Sequence, residues 1–204
     1  MRALRPTRGW VLLAAGAIAW LGLLRPWTIR PIEREPARPV DASAYVESIW
    51  TSRVQPAITA NAVALEFYRE AVAGGGATQG PAAVVAEGVV LEVNTSSRVG
   101  IATIDLSPAD GRADATVQIG PVVRGTSLRD ALDFIRFTDF TNQIEFAAVA
   151  SALNDRVLTD VLGDVDFGTL EGRRVRVVGV ASLDQAAGAL PSIVPVAFGT
   201  EDRP

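Results

Sequence analysis

The chain has 204 residues, 49% hydrophobic and 21% charged, which is enough apolar material for one packed domain with a small appendage. It contains no His, Cys or Lys, which excludes Ser–His–Asp and Cys–His catalysis, zinc sites built on His or Cys, phosphate loops, Schiff bases and Ser–Lys dyads. The net charge of −4 conceals an asymmetry: five Arg precede every acidic residue, and from Pro31 onward 14 Arg face 23 Asp and Glu, a balance of −9 without the footprint of a nucleic-acid binder.

Trp10 to Leu24 is an unbroken apolar run of 15 residues between Arg8 and Arg25. It falls between the core of a signal peptide and a full span of ~20 residues, and snorkelling Arg at both ends can stretch such a helix across a bilayer. Ala17-Ile18-Ala19 offers a cleavage site, but the run continues past it, so an uncleaved signal anchor is expected over 1–25. Arg2, Arg5 and Arg8 on one side nearly balance Arg25, Arg30, Arg34 and Arg38 on the other, so charge does not orient it. Pro26, Pro31, Pro36 and Pro39 predict an extended stalk over 26–40.

Asp41 is placed to cap a helix with Val46, Ile49, Trp50 and Val54 inward. Pro56 interrupts it, and Ile58, Ala62, Leu65 and Val72 continue a second helix, giving a helical hairpin over 41–80. Gly74-Gly75-Gly76 and Gly80-Pro81 end it as a linker, since no Lys-Ser/Thr follows to make a phosphate loop. The periodicity then becomes alternating. Val84 to Asn94 reads as a strand with Val89, Leu91 and Val93 on one face, Arg98 to Leu106 as its return, and Ala113 to Ile119 as a third.

The chain's centre is helical. Ser127 with Asp130 has capping spacing, and Leu128, Ala131, Leu132 and Ile135 form one helical face. Asn142 with Glu145 repeats the spacing before a stripe of Phe146, Val149, Ala150, Leu153 and Val157, and Phe146 is expected between this insert (126–163) and the strands. Arg173 to Leu183, with Val175 and Val177 alternating against Arg174 and Arg176, and Ile193 to Phe198 supply two more strands. Three meandering strands, a helical connection and two strands make an α+β chain whose part 81–200 is an OB-like five-stranded barrel with the insert between strands three and four, an order that other small barrels also match.

The stretches IGPVVRGTSLRDALDFI and FTDFTNQIEFAAVASALND, with AYVESIW and GRRVRVVGV more loosely, resemble a family of predicted bacterial periplasmic lipoproteins, domain of unknown function 2291, over most of Ala44 to Phe198. The resemblance implies an OB-like barrel with a helical appendage, a soluble part on the extracytoplasmic side of a single-pass anchor, and an accessory role beside sugar ABC transporters. The family's lipid-bearing Cys would stand just before the I-x-P-I pattern. Here Trp27 does, so the apolar helix is expected to replace the lipid anchor.

Four residues are candidates for a ligand site. Arg124 and Arg129 fall in the motif that carries the resemblance, and either can bind an anion; the structural alternatives are loop carbonyls for Arg124 and an i, i+4 pair with Asp133 for Arg129. Gln143 has no capping duty, unlike Asn142 and Glu145. Arg98 ends the loop 94–98 and begins strand two, where barrels of this type present ligands together with the loop joining strands four and five, 182–191. Carboxylate pairs, Asp130/Asp133 or Asp164/Asp166, are the material for a carbohydrate-active enzyme, the competing expectation to a non-enzymatic binding module for a partner protein or small polar ligand. No cofactor or metal is expected.

Overall fold

The computed structural model describes residues 40–74, 80–183 and 189–201. The expected anchor and nearly all of the stalk lie outside these residues, as do 75–79 of the glycine linker and 184–188 of the loop after the fourth strand. The described residues belong to one compact unit, 38–204. Among them no helix is long and apolar enough to cross a membrane.

Five strands close on one another. β1 (Ala82–Asn94) pairs antiparallel with β2 (Ile101–Leu106), and β2 with β3 (Ala115–Gln118). β3 runs parallel to β5 (Ser192–Glu201), β5 antiparallel to β4 (Arg174–Ser182), and β4 returns to β1 over Ala82 to Val89. The order β1-β2-β3-β5-β4-β1 is the closed barrel expected from the strand sequence. Alternation aims Val84, Ala86, Val90, Ala102, Ile104, Ala115, Val117, Val175, Val177 and Ile193 into a buried interior.

The inward face of β1 differs from expectation. The even positions Val84, Ala86 and Val90 fill the interior, leaving Val89 half-buried and Leu91 exposed; a bulge between Val90 and Glu92 then shifts the alternation, so that Val93 packs against the interior. An extra residue in one strand shifts every side chain beyond it, which alternation alone cannot reveal.

The N-terminal helices are three segments rather than a hairpin. Asp41 caps α1 (Ala42–Ile49), its Oδ1 accepting the Ser43 and Ala44 amides at 3.0 and 3.1 Å. A wide helical turn (Trp50–Val54) leads into α2 (Gln55–Asn61), with Pro56 in its first turn. Val63 and Ala64 then extend and pair with Val84 and Val85 of β1, separating α3 (Leu65–Ala73) from α2. α3 sends Leu65 and Tyr68 into the barrel interior.

The central insert is broken up too. α4 is only Ser127–Asp130; turns follow, with Leu132 N–H donating to Arg129 and Ile135 N–H to Leu132, both at 3.1 Å. Leu128, Leu132 and Ile135 are buried as expected, because consecutive turns satisfy a three-to-four-residue apolar spacing as well as a helix does. α5 (Gln143–Arg156) begins at Asn142, whose Oδ1 accepts the Ile144 and Glu145 amides at 2.9 and 3.0 Å. α1, α2 and α5 pack on the outside of β4 and β5, forming a second core with Val178, Val180, Val194 and Val196. Phe146 is only partly buried there, against Phe137 and Phe140 of its own insert. Asn142→Ala is expected to lower stability by about 1 kcal/mol, the usual loss of a helix cap, measured by chemical denaturation.

Candidate functional site

The loop from β3 to α4 is held by buried amides. Arg124 N–H donates to Gln118 Oε1 at 2.8 Å, and Gln118 Nε2 donates back to the Arg124 carbonyl and to Ser192 Oγ, both at 3.4 Å. From the other side Asn154 Nδ2, on α5, donates to the carbonyls of Val123 and Gly125 at 3.3 and 3.0 Å. Gln118 and Asn154 are both buried, and buried amides this well partnered fix a loop. Gly125 has φ +94°, a conformation open to glycine, which turns the chain beside Arg124. The Arg124 side chain itself is exposed and has no hydrogen-bond or ion-pair partner among the described residues.

Arg124 borders a pocket of about 280 Å³ with Pro81, Thr126, Ser127, Asp130, Ser182 and Leu183. Pro81 also walls a second pocket of about 300 Å³, which includes Asn61, Phe67, Tyr68 and Asp133. The two hollows thus adjoin along the start of β1, with Arg124 at one end and Phe67, 64% exposed, at the other. Tyr68 O–H donates to the Gly80 carbonyl at 3.5 Å. Burial pushes its phenol above the ordinary value, partly offset by a backbone hydrogen bond with Leu183, so it stays a protonated donor at neutral pH.

The groove therefore offers a cation with a free guanidinium fork, hydroxyls at Thr126, Ser127 and Ser182, an amide at Asn61, a carboxylate at Asp133 and an aromatic ring. Such a set suits a polar ligand with one apolar face.

The other candidates lie elsewhere. Arg129 is 8% exposed. Its Nε and Nη2 donate to Asp130 Oδ1 at 2.9 and 2.7 Å, its Nη1 to the Phe146 carbonyl at 3.0 Å, and its guanidinium carbon lies 3.7 Å from the Phe146 ring centroid. It is a structural tie, and its carboxylate is Asp130 rather than Asp133, because the helix that would have put Asp133 one turn on stops at Asp130. Gln143 is exposed in the first turn of α5 and borders neither hollow. Arg98 is exposed in the β1–β2 loop; among the described residues only its carbonyl is engaged, accepting Val122 N–H at 3.1 Å, and its side chain borders neither hollow. Ser182, the last residue of β4, and Leu183, the first of the loop after it, line the same hollow as Arg124.

One carboxylate of each pair, Asp130 and Asp166, has local partners. Asp130 accepts Arg129 and the Thr126 hydroxyl, the latter at 2.6 Å, and Asp166 accepts Gly168 N–H at 3.0 Å. The buried Asp105 accepts the Asp110 and Gly111 amides at 3.2 and 2.7 Å, closing the β2–β3 loop. Among the described residues no group of three or more acidic side chains could hold a metal.

Sequence reasoning missed Asn61, Phe67 and Tyr68, and reached Asp133 only as one of a carboxylate pair and Ser182 only as the start of the 182–191 loop. One signal was visible: Phe67 is a large aromatic off the stripe of Leu65 and Val72, hence a ring with no core to enter.

A family model described as predicted periplasmic lipoprotein (DUF2291) matches residues 16–198. No curated protein matches the chain. A crystal structure of an OB-fold protein from Thermotoga maritima superposes with a TM-score of 0.62, covering 79% of this chain and 99% of that one at 15% identity. At that identity the likeness is one of fold.

Proposed function

The chain belongs to the DUF2291 family of predicted periplasmic lipoproteins, and from that premise we propose that it is a non-enzymatic binding module of the cell envelope, held at the membrane by its N-terminal segment, whose groove takes a small polar ligand through Arg124. One observation carries this reading. Two buried amides, Gln118 and Asn154, clamp the main chain on either side of a guanidinium that is exposed and unpaired among the described residues. A merely structural Arg spends its donors on its neighbours, as Arg129 does. One whose backbone is fixed and whose donors are free is pre-organised for an incoming carboxylate or sugar hydroxyls. An accessory role in sugar import, acting on the extracytoplasmic side, fits a groove that pairs Phe67 with hydroxyl and amide groups.

The test is Arg124→Gln beside wild type. The melting curve is expected to stay within the ~0.5 kcal/mol typical of surface substitutions, while calorimetric binding of acidic and neutral monosaccharides is lost or falls at least about tenfold, the cost of one charge-assisted contact. A destabilised variant that binds as wild type does would make Arg124 a structural residue.

A further inference from the structure

The insert ends in a tip that carries exposed apolar side chains. Phe137 is 53% exposed and Ile144 81% exposed, at either end of the segment FTDFTNQI that leads into α5. Phe137 stands edge-on to Phe146 with centroids 5.6 Å apart, and Phe140 lies 5.6 Å from the same ring, so the exposed ring is the outer member of an aromatic stack. Nothing in the groove or the barrel requires this arrangement.

The tip also sits where the chain enters the domain. Tyr45, in the first turn of α1, meets Phe140 edge-on at 5.8 Å, and α1 is the first described helix after the N-terminal 39 residues. Burial raises the Tyr45 phenol pKa, with Arg53 opposing the shift and Asp139 reinforcing it, so these charges flank the same contact. Arg53 lies 4.1 Å over the Phe134 ring, and Arg136 stands in sequence against Asp139 and Glu145. With Asp133, two cations stand among three carboxylates around the tip, a balance of about −1 with no attraction for an anionic surface, so the tip's attraction is apolar rather than ionic.

We propose that Phe137 and Ile144 rest in the outer interface of the bilayer to which the chain is attached, fixing the domain's orientation on the membrane. The proposal rests on the family's membrane association and is independent of the groove. Two large apolar side chains bind a free bilayer weakly, but a tethered domain presents them at high effective concentration, where a weak contact suffices to select one orientation. Near-neutral surroundings make the contact indifferent to salt and to anionic lipid.

The chain has no Cys, so one introduced thiol labels one site. The full chain would be reconstituted into phosphatidylethanolamine–phosphatidylglycerol vesicles with an environment-sensitive fluorophore on Thr138→Cys in the exposed tip or, as control, on Arg112→Cys in the exposed β2–β3 loop. The Thr138 label is expected to be quenched at least ~3-fold less by aqueous iodide than the Arg112 label, with bluer emission, as an interfacial position requires. Adding Phe137→Asp and Ile144→Asp should return it to the control value while the domain keeps a cooperative melting transition. Ile144→Ser alone should act in the same direction and guards against misfolding. Equal quenching at the two sites, protection that survives the substitutions, or protection appearing only when other proteins are added would each overturn the proposal, the last by identifying a protein partner.

Discussion

Gly88→Val should prevent the barrel from closing. A Cβ built on Gly88 would stand 2.1 Å from the carbonyl oxygen of Asp105 and 3.0 Å from the Cα of Leu106, both backbone atoms that no side-chain rotation can move. Gly88 also faces Val175 of β4 while facing Leu106 of β2, so it lies where β1 is gripped from both sides. Relief requires β1 and β2 to part, which breaks ladder bonds at the seam. Overpacking ordinarily costs ~1–3 kcal/mol. Backbone-to-backbone contact places this variant at or beyond the upper end, a large share of the ~5–15 kcal/mol that holds a domain folded. Circular dichroism and the melting transition would show it: a cooperative transition within a few degrees of wild type contradicts the assigned pairing.

Arg129→Ala should be the costliest change among the charged residues, at about 2–4 kcal/mol. It removes three donated hydrogen bonds, leaves the Phe146 carbonyl without its guanidinium donor and takes away the cation lying on the Phe146 ring. Asp130 is partly exposed and retains the Thr126 hydroxyl, so water can solvate it and the loss stays below that of a fully buried pair broken in half. Arg129→Lys should recover little, because an ammonium cannot donate to Asp130 and the Phe146 carbonyl while lying flat on a ring. Urea denaturation of the two variants would test this. Stability within ~0.5 kcal/mol of wild type would mean that Arg129 is not the tie between α4 and α5.

Arg124 and Arg129 share a residue type and a motif, five positions apart, and the sequence offered each both a ligand role and a structural one. What separates them is where α4 ends. Its stop after Asp130 turns Arg129 inward onto Phe146, while the Gln118 and Asn154 clamps leave Arg124 facing solvent. The Asn154 clamp reaches back 29 to 31 residues, and the Gln118 clamp, though six residues from Arg124, comes from a side chain that reads as an ordinary strand position. The strand order, by contrast, was legible, because alternation and turn residues are local and the closed order follows from them. So were the caps at Asp41 and Asn142. The bulge after Val90 and the extension at Val63 and Ala64 were not, since each answers to a partner strand rather than to its own sequence. The groove joins α2, α3, the start of β1, the loop after β3 and the end of β4, so no single stretch of sequence could have announced it.

Residue-by-residue amide shifts of the full chain, titrated with galacturonate and with galactose, test the binding site most directly. The proposed site predicts perturbations concentrated at Gly125, Thr126, Ser127, Ser182 and Leu183, larger for the acid than for the neutral sugar, and absent in Arg124→Gln at an unchanged melting temperature. Unmoved groove amides with both sugars, perturbations gathered instead around Arg98, or an Arg124→Gln response identical to wild type would contradict it.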